Sequence, residues 1–123
     1  MEQVIDVSTQ AALLDARRVR FQFEAWIGGY LEQRDMGTVE LDFLDAKGKV
    51  LDTIVLGPLT PQMRREKVSV QGRAGTAFLP FHEEGAVPRR TRQLRVRLTA
   101  MRAEGDHNDV YVDGLSLMLR EAP

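Results

Sequence analysis

The stretch VRFQFEAWI, residues 19–27, alternates without a break. Val19, Phe21, Phe23, Ala25 and Ile27 make one apolar row, and Arg20, Gln22, Glu24 and Trp26 make the other. Successive side chains of a strand point to opposite faces, so this period predicts a half-buried β-strand, ended by Gly28 and Gly29. Thr38 to Asp45 repeats the pattern, with Val39, Leu41 and Phe43 inward and Glu40 and Asp42 outward. DAKGK, Asp45 to Lys49, then reads as a hairpin turn in which Gly48 supplies a positive φ. A strand rich in β-branched residues follows from Val50 to Leu56 and stops at Gly57, Pro58 and Pro61. Earlier in the chain, Gln3 to Val7 alternates as a short strand. Ser8 and Thr9 are N-cap residues ahead of one or two helical turns in QAALLDA, residues 10–16. Between Thr60 and Thr91 the period weakens. EKVSVQ and TAFLPF are strand candidates there, with Pro80 placing the second at an edge or a bulge, and Gly85, Pro88 and Arg89 to Thr91 read as a turn.

The final pair of strands carries the most pointed chemistry. Leu94, Val96 and Leu98 share one parity of the segment Gln93 to Arg102, and Arg102 ends that row. A polar loop with Asp106, His107, Asn108 and Asp109 leads into a strand in which Tyr111, Leu115, Leu117 and Leu119 share a parity. Asp113 falls on the same parity, and a core-facing carboxylate must be paired, hydrogen-bonded or metal-bound. A hairpin through Ala103 to Asn108 would bring Arg102 beside Asp109 and Asp113. Arg102, Asn108, Asp109, Tyr111 and Asp113 then form either a structural network locking the hairpin or a ligand-binding cluster.

Composition narrows the function classes. At 123 residues the chain is expected to form one domain, 1–123, with a core of its own. Seventeen basic and eighteen acidic residues leave a net charge of −1, so no bulk field favours nucleic acid or an anionic membrane. Arg89, Arg90, Arg92, Arg95 and Arg97 form the densest basic patch; Arg95 and Arg97 share the outward parity with Thr99 and read as a solvated face. No cysteine is present, which removes disulfides, thiolate metal sites and cysteine nucleophiles. No apolar run approaches the roughly 20 residues of a membrane span. The start MEQVIDVSTQ lacks the basic and apolar segments of a signal peptide, so the chain as written is expected in the cytoplasm. His82 and His107 show no metal spacing with each other, and no serine sits in an elbow motif, so an enzyme has the least support. Short strands, Gly and Pro turns and one short helix predict an all-β, antiparallel β-sandwich.

The order FEAWIGGYLEQRD, DAKGK, LGP, GAVPRRTRQLRVRL and MRAEGDHNDVYVDGLSLML resembles the jelly-roll modules of secreted bacterial proteins. These belong with the galactose-binding-like β-sandwiches, a group that includes many carbohydrate-binding modules. The resemblance runs from about Gln3 to Leu119 and is most specific at Arg102, Gly105, Asn108, Asp109, Tyr111, Asp113 and Leu115. It implies a non-catalytic binding module for carbohydrate or a glycan-bearing surface. It also implies Asp113 as a candidate ligand to a structural calcium, with no cofactor required. The resemblance begins part-way through such modules. The resemblance implies that strands which normally flank this segment are missing, and association with a second copy or a protein partner is expected through the open sandwich edges. A structural or assembly subunit is therefore the alternative function.

Trp26 lies on the polar parity of its strand. It is either a stacking platform for the CH face of a sugar or turned inward by a bulge at Gly28. On the first reading, Trp26 and Tyr30, with Gln33, Arg34 and Asp35 from the following loop, line the ligand site.

Overall fold

The computed structural model describes residues 2–30, 36–57, 76–101 and 111–122. Its strands are β1 (Glu2–Asp6), β2 (Val19–Tyr30), β3 (Met36–Leu44), β4 (Val50–Leu56), β5 (Thr76–Ala86), β6 (Gln93–Met101) and β7 (Tyr111–Glu121). A 3-10 turn at Ser8–Gln10 and a short helix α1 (Ala11–Asp15) join β1 to β2. A four-stranded sheet in the order β1-β6-β3-β4 faces a three-stranded sheet in the order β5-β2-β7, and every pairing is antiparallel. The protein is an antiparallel β-sandwich with one short helix.

The alternation of β2 is realised in full. Phe21, Phe23, Ala25 and Ile27 are buried, as are Val39, Leu41 and Phe43 of β3 and Leu94 and Val96 of β6. Phe21 and Phe43 meet as a tilted ring pair with centroids 5.3 Å apart and planes at 53°, within the range of favourable aromatic contacts. Burial of side chains of this size contributes about 1.5–3 kcal/mol each. Gly28 and Gly29 do not end β2, which continues to Tyr30; β2 is the central strand and is paired with β5 along this whole segment. Gly85 likewise lies inside β5 rather than in the turn. β5 is an edge strand, and that accommodates Pro80, which has no N–H to donate.

The turns follow local chemistry. The Asp45 carboxylate accepts the N–H groups of Lys47 and Lys49, at 2.9 and 2.8 Å, and Gly48 takes a φ of 82°. Neither Ser8 nor Thr9 caps a helix. Instead, Asp6 accepts the Ser8 N–H at 2.8 Å and the Ser8 hydroxyl, holding the 3-10 turn from the strand side. Leu14 anchors α1 in the core, and Arg17 closes the helix with a φ of 59°. The Arg18 N–H bonds the Leu13 carbonyl and the Arg17 N–H bonds the Leu14 carbonyl, the paired bonds of a Schellman cap. The far end of α1 is tied to the segment before β6, because Asp15 accepts two bonds from the Arg92 guanidinium, at 3.1 and 2.7 Å, and one from the Arg90 N–H. The Arg92 hydrogen bonds hold the Asp15 carboxyl below its ordinary range.

Two expectations are corrected. The strands β6 and β7 do not form a hairpin: β6 pairs with β1 and β3, and β7 pairs with β2 in the other sheet. The two strands lie in opposite sheets, so their apolar rows form opposite walls of one core. The contacts expected of Arg102, Asn108 and Asp109 lie outside the described residues. The outward face of Arg95 and Arg97 is also no simple solvated surface. Asp42, directly opposite Arg95 across the β3–β6 ladder, has a side chain only 1% exposed. Arg97 donates to both of its oxygens, at 2.8 and 3.1 Å, Arg95 donates at 2.8 Å, and the Thr53 hydroxyl of β4 adds 2.8 Å. Arg97 also pairs with Glu40. The network staples β6, β3 and β4 through one carboxylate.

Burial by itself pushes the Asp42 carboxyl up, but the hydrogen bonds from Arg97, Arg95 and Thr53 outweigh it and hold the group below its ordinary range. A carboxyl lowered in the folded state contributes stability above its unfolded value, near pH 4, and loses it as pH falls through the folded value. Asp42→Ala strands two guanidinium groups beside each other and is expected to cost about 2–3 kcal/mol, read from the urea midpoint at neutral pH. The gap between parent and Asp42→Asn should then narrow as pH drops below about 4, since protonation removes the same charge from the parent.

Candidate functional site

The outer face of the β5-β2-β7 sheet offers a different surface. The inner row of β2 is committed to the core, so Arg20, Gln22, Glu24 and Trp26 face away from it. Register places Pro80 beside Trp26, His82 beside Glu24 and Glu84 beside Gln22 on the β5 side. On the β7 side, Ser116 stands beside Glu24 and Met118 beside Gln22. Trp26 is 47% exposed and Met118 is 57% exposed. The imidazole of His82 lies between two carboxylates, with Nδ1 3.7 Å from Glu24 and Nε2 3.6 Å from Glu84. Those separations are ion-pair distances and too long for hydrogen bonds. Gln22 donates a longer bond, 3.3 Å, to Glu84. The three groups His82, Glu24 and Glu84 are all about half exposed. The result, among the described side chains, is a shallow open face with the Trp26 ring beside a row of polar groups.

The ring of Trp26 is placed by a bulge in its neighbour. In the β2–β7 ladder Glu24 is level with Ser116, whereas Trp26 is level with Asp113, so Gly114 and Leu115 together oppose Ala25. Gly114 takes a φ of 60°, the left-handed conformation that opens a glycine bulge. A side chain at that position would lie 3.2 Å from Cδ1 of Trp26, so the absence of one lets the indole lie against the β7 backbone. The bulge also corrects the parity of β7. Leu117 and Leu119 pack against the core as expected, but Leu115 is exposed, and Asp113 stands level with Trp26 instead of continuing the leucine row.

Of the residues expected to line a ligand site, Trp26 is exposed on a polar face, as the stacking reading requires. Tyr30 is the last residue of β2, Tyr111 is level with Gly28, and the side chains of Tyr30, Tyr111 and Asp113 lie outside what is described. Gln33, Arg34 and Asp35 lie outside the described residues as well. Sequence reasoning missed the partners of Trp26. His82, Glu83 and Glu84 belong to β5, in the segment where the sequence period is weak. The signal was present in the shared parity of His82 and Glu84, but a weak strand carrying a proline hid it. Among the described residues no group of three or more His, Asp or Glu side chains is arranged to hold a metal ion, and no helix is long and apolar enough to cross a membrane.

No family model and no curated protein matches this sequence. Solved structures do resemble the fold. The enzymatically active domain of bacteriophage CBA120 tailspike protein 4 is 13% identical with a TM-score of 0.58, over 97% of this chain and 13% of that one. The T13 particle of infectious bursal disease virus is 11% identical with a TM-score of 0.52, over 97% of this chain and 24% of that one. The C-terminal family 22 carbohydrate-binding module of Clostridium thermocellum Xyn10B is 11% identical with a TM-score of 0.42, over 93% of this chain and 60% of that one. The chain thus spans a minor part of the first two proteins, and those two likenesses show a shared fold alone.

Gly114→Ala tests the bulge. The added methyl meets the indole at 3.2 Å and must occupy a φ of 60°, so a destabilisation of about 1–2 kcal/mol is expected. Because the clash is with Trp26, the intrinsic tryptophan fluorescence of the folded variant should shift. An unchanged spectrum with unchanged stability would show that the ring does not rest on this strand.

Proposed function

We propose that this domain is a non-catalytic binding module that takes carbohydrate on the outer face of β5-β2-β7, with Trp26 as the stacking platform. The observation that carries the reading is the half-exposed indole in the middle of a paired strand, on a face otherwise made of polar side chains. One edge of the ring lies against β7 while about half of it stays exposed, and a pyranose offers the apolar CH face and peripheral hydroxyls that such a surface can use. Gln22, Glu24, His82 and Glu84 supply hydrogen-bonding groups beside the ring. Tyr30, Gln33, Arg34 and Asp35 follow Trp26 in the chain and extend the proposed site beyond it. The strand order supports the jelly-roll, galactose-binding-like form of the sandwich, since β1 to β3 and β4 to β7 pass between sheets at each step. Asp113, level with Trp26, is the proposed calcium ligand, with the metal in a structural role.

A glycan array probed with the parent protein, with and without calcium, tests this reading. Trp26→Ala should abolish glycan retention while moving the unfolding midpoint little, because the ring it removes is half exposed. Retained binding in that variant would refute the platform, and an unfolded variant would assign the ring to the core.

A second reading, assembly through the sandwich edges, rests on β1. This edge strand is exposed throughout, with Val4 51% and Ile5 37% exposed. The other edge of the same sheet is partly blunted, because the Asp52 carboxylate accepts the Thr53 N–H at 2.8 Å and so occupies a backbone donor of β4. Light scattering across a concentration series checks it. A mass that rises with concentration and returns to the monomer value in Val4→Lys would place the contact on β1. A monomer mass at every concentration would remove self-association.

A further inference from the structure

The charge beside Trp26 names a ligand class. Glu24 lies two residues from Trp26 on the same strand, roughly 6–7 Å along it, about the length of one sugar ring. Glu84 lies across the ladder from Gln22, one step further along the face. A ligand with one ring on the indole would therefore set its next ring over two carboxylates. Those carboxylates accept hydrogen bonds and cannot donate them, and neither is used up by its neighbours. His82 stays at 3.6–3.7 Å from both, and the Gln22 bond to Glu84 is long at 3.3 Å. Among the described residues, the arginines of the outer face, Arg20 and Arg120, are level with each other in register at the other end of β2, six residues from Trp26. The indole itself attracts a cation to its face.

We infer that this face selects amine-bearing glycans, with ammonium groups of successive amino sugars set against Glu24 and Glu84 on either side of the His82 imidazole and a pyranose ring on Trp26. The inference rests on the carbohydrate-binding reading and adds the charge of the ligand. An uncharged sugar of the same shape keeps the stacking and loses the ion pairs. A uronic acid brings like charges together and is rejected.

The experiment is calorimetric titration of the full chain with four oligosaccharides of equal length: glucosamine, N-acetylglucosamine, glucose and galacturonic acid oligomers. An oligolysine peptide serves as a fifth probe. The glucosamine oligomer is expected to bind about five- to tenfold more tightly than its acetylated counterpart, as two exposed ion pairs would give. That margin should shrink at high salt and disappear in Glu24→Gln with Glu84→Gln, in which both oligomers should still bind in a Trp26-dependent way. Both substitutions are on half-exposed groups, so the variants should fold, and the acetylated oligomer reports on an intact platform. Equal or tighter Trp26-dependent binding of the neutral or acidic oligomers would overturn the charge selection and leave the carbohydrate reading standing. If no oligosaccharide binds, both readings fall. Oligolysine binding as tightly as glucosamine oligomers, and surviving Trp26→Ala, would overturn the glycan assignment in favour of a basic peptide.

Discussion

Burial of one row of side chains on β2 organises the molecule. Phe21, Phe23, Ala25 and Ile27 are at most 3% exposed, and β2 is hydrogen-bonded on both sides, so its orientation cannot be reversed without emptying the core. The consequence for the opposite row is as strict. Gln22, Glu24 and Trp26 must face outward, and the neighbours that they meet are set by the ladders to β5 and β7. The candidate site is the reverse side of the core.

The outer faces of the sandwich solve their electrostatics in different ways. On the four-stranded sheet, Asp42 is roofed by the guanidinium groups that neutralise it, and its hydrogen-bonding capacity is spent within the protein. On the three-stranded sheet, His82 sits between Glu24 and Glu84 without bonding closely to either, and those groups stay half exposed. Satisfied polar groups lock strands together, whereas spare acceptors beside an exposed ring suit recognition. The contrast directs attention to the second face.

The strand edges show the same division between protected and open backbone. Pro80 removes a donor from β5 and Asp52 takes up one on β4, but β1 carries no device of this kind among the described residues. Its charges, Glu2 and Asp6, are at the strand ends. Two copies pairing antiparallel about Val4 would bring Glu2 of one toward Asp6 of the other, which opposes the symmetric arrangement.

Alternation with a period of two was enough to mark β2, β3 and β6 and to predict a sandwich, because a half-buried strand must show that period wherever it lies. The turn at Asp45 to Lys49 was legible for a similar reason, since Asp45 and Gly48 make it with bonds inside the turn. What the sequence could not carry was the pairing of distant segments. Nothing local separates a hairpin between β6 and β7 from a crossing between sheets, and both leave the same apolar rows buried. The bulge at Gly114 and Leu115 inverts the parity of everything before it in β7, yet in the sequence it is one glycine among ten. Asp42 looked like any outward acid until Arg95, Arg97 and Thr53, 53, 55 and 11 residues away, closed over it. The cluster around Trp26 likewise needed β5, 54 to 62 residues further along the chain, because cross-strand neighbours are decided by register and register is set by the packed core.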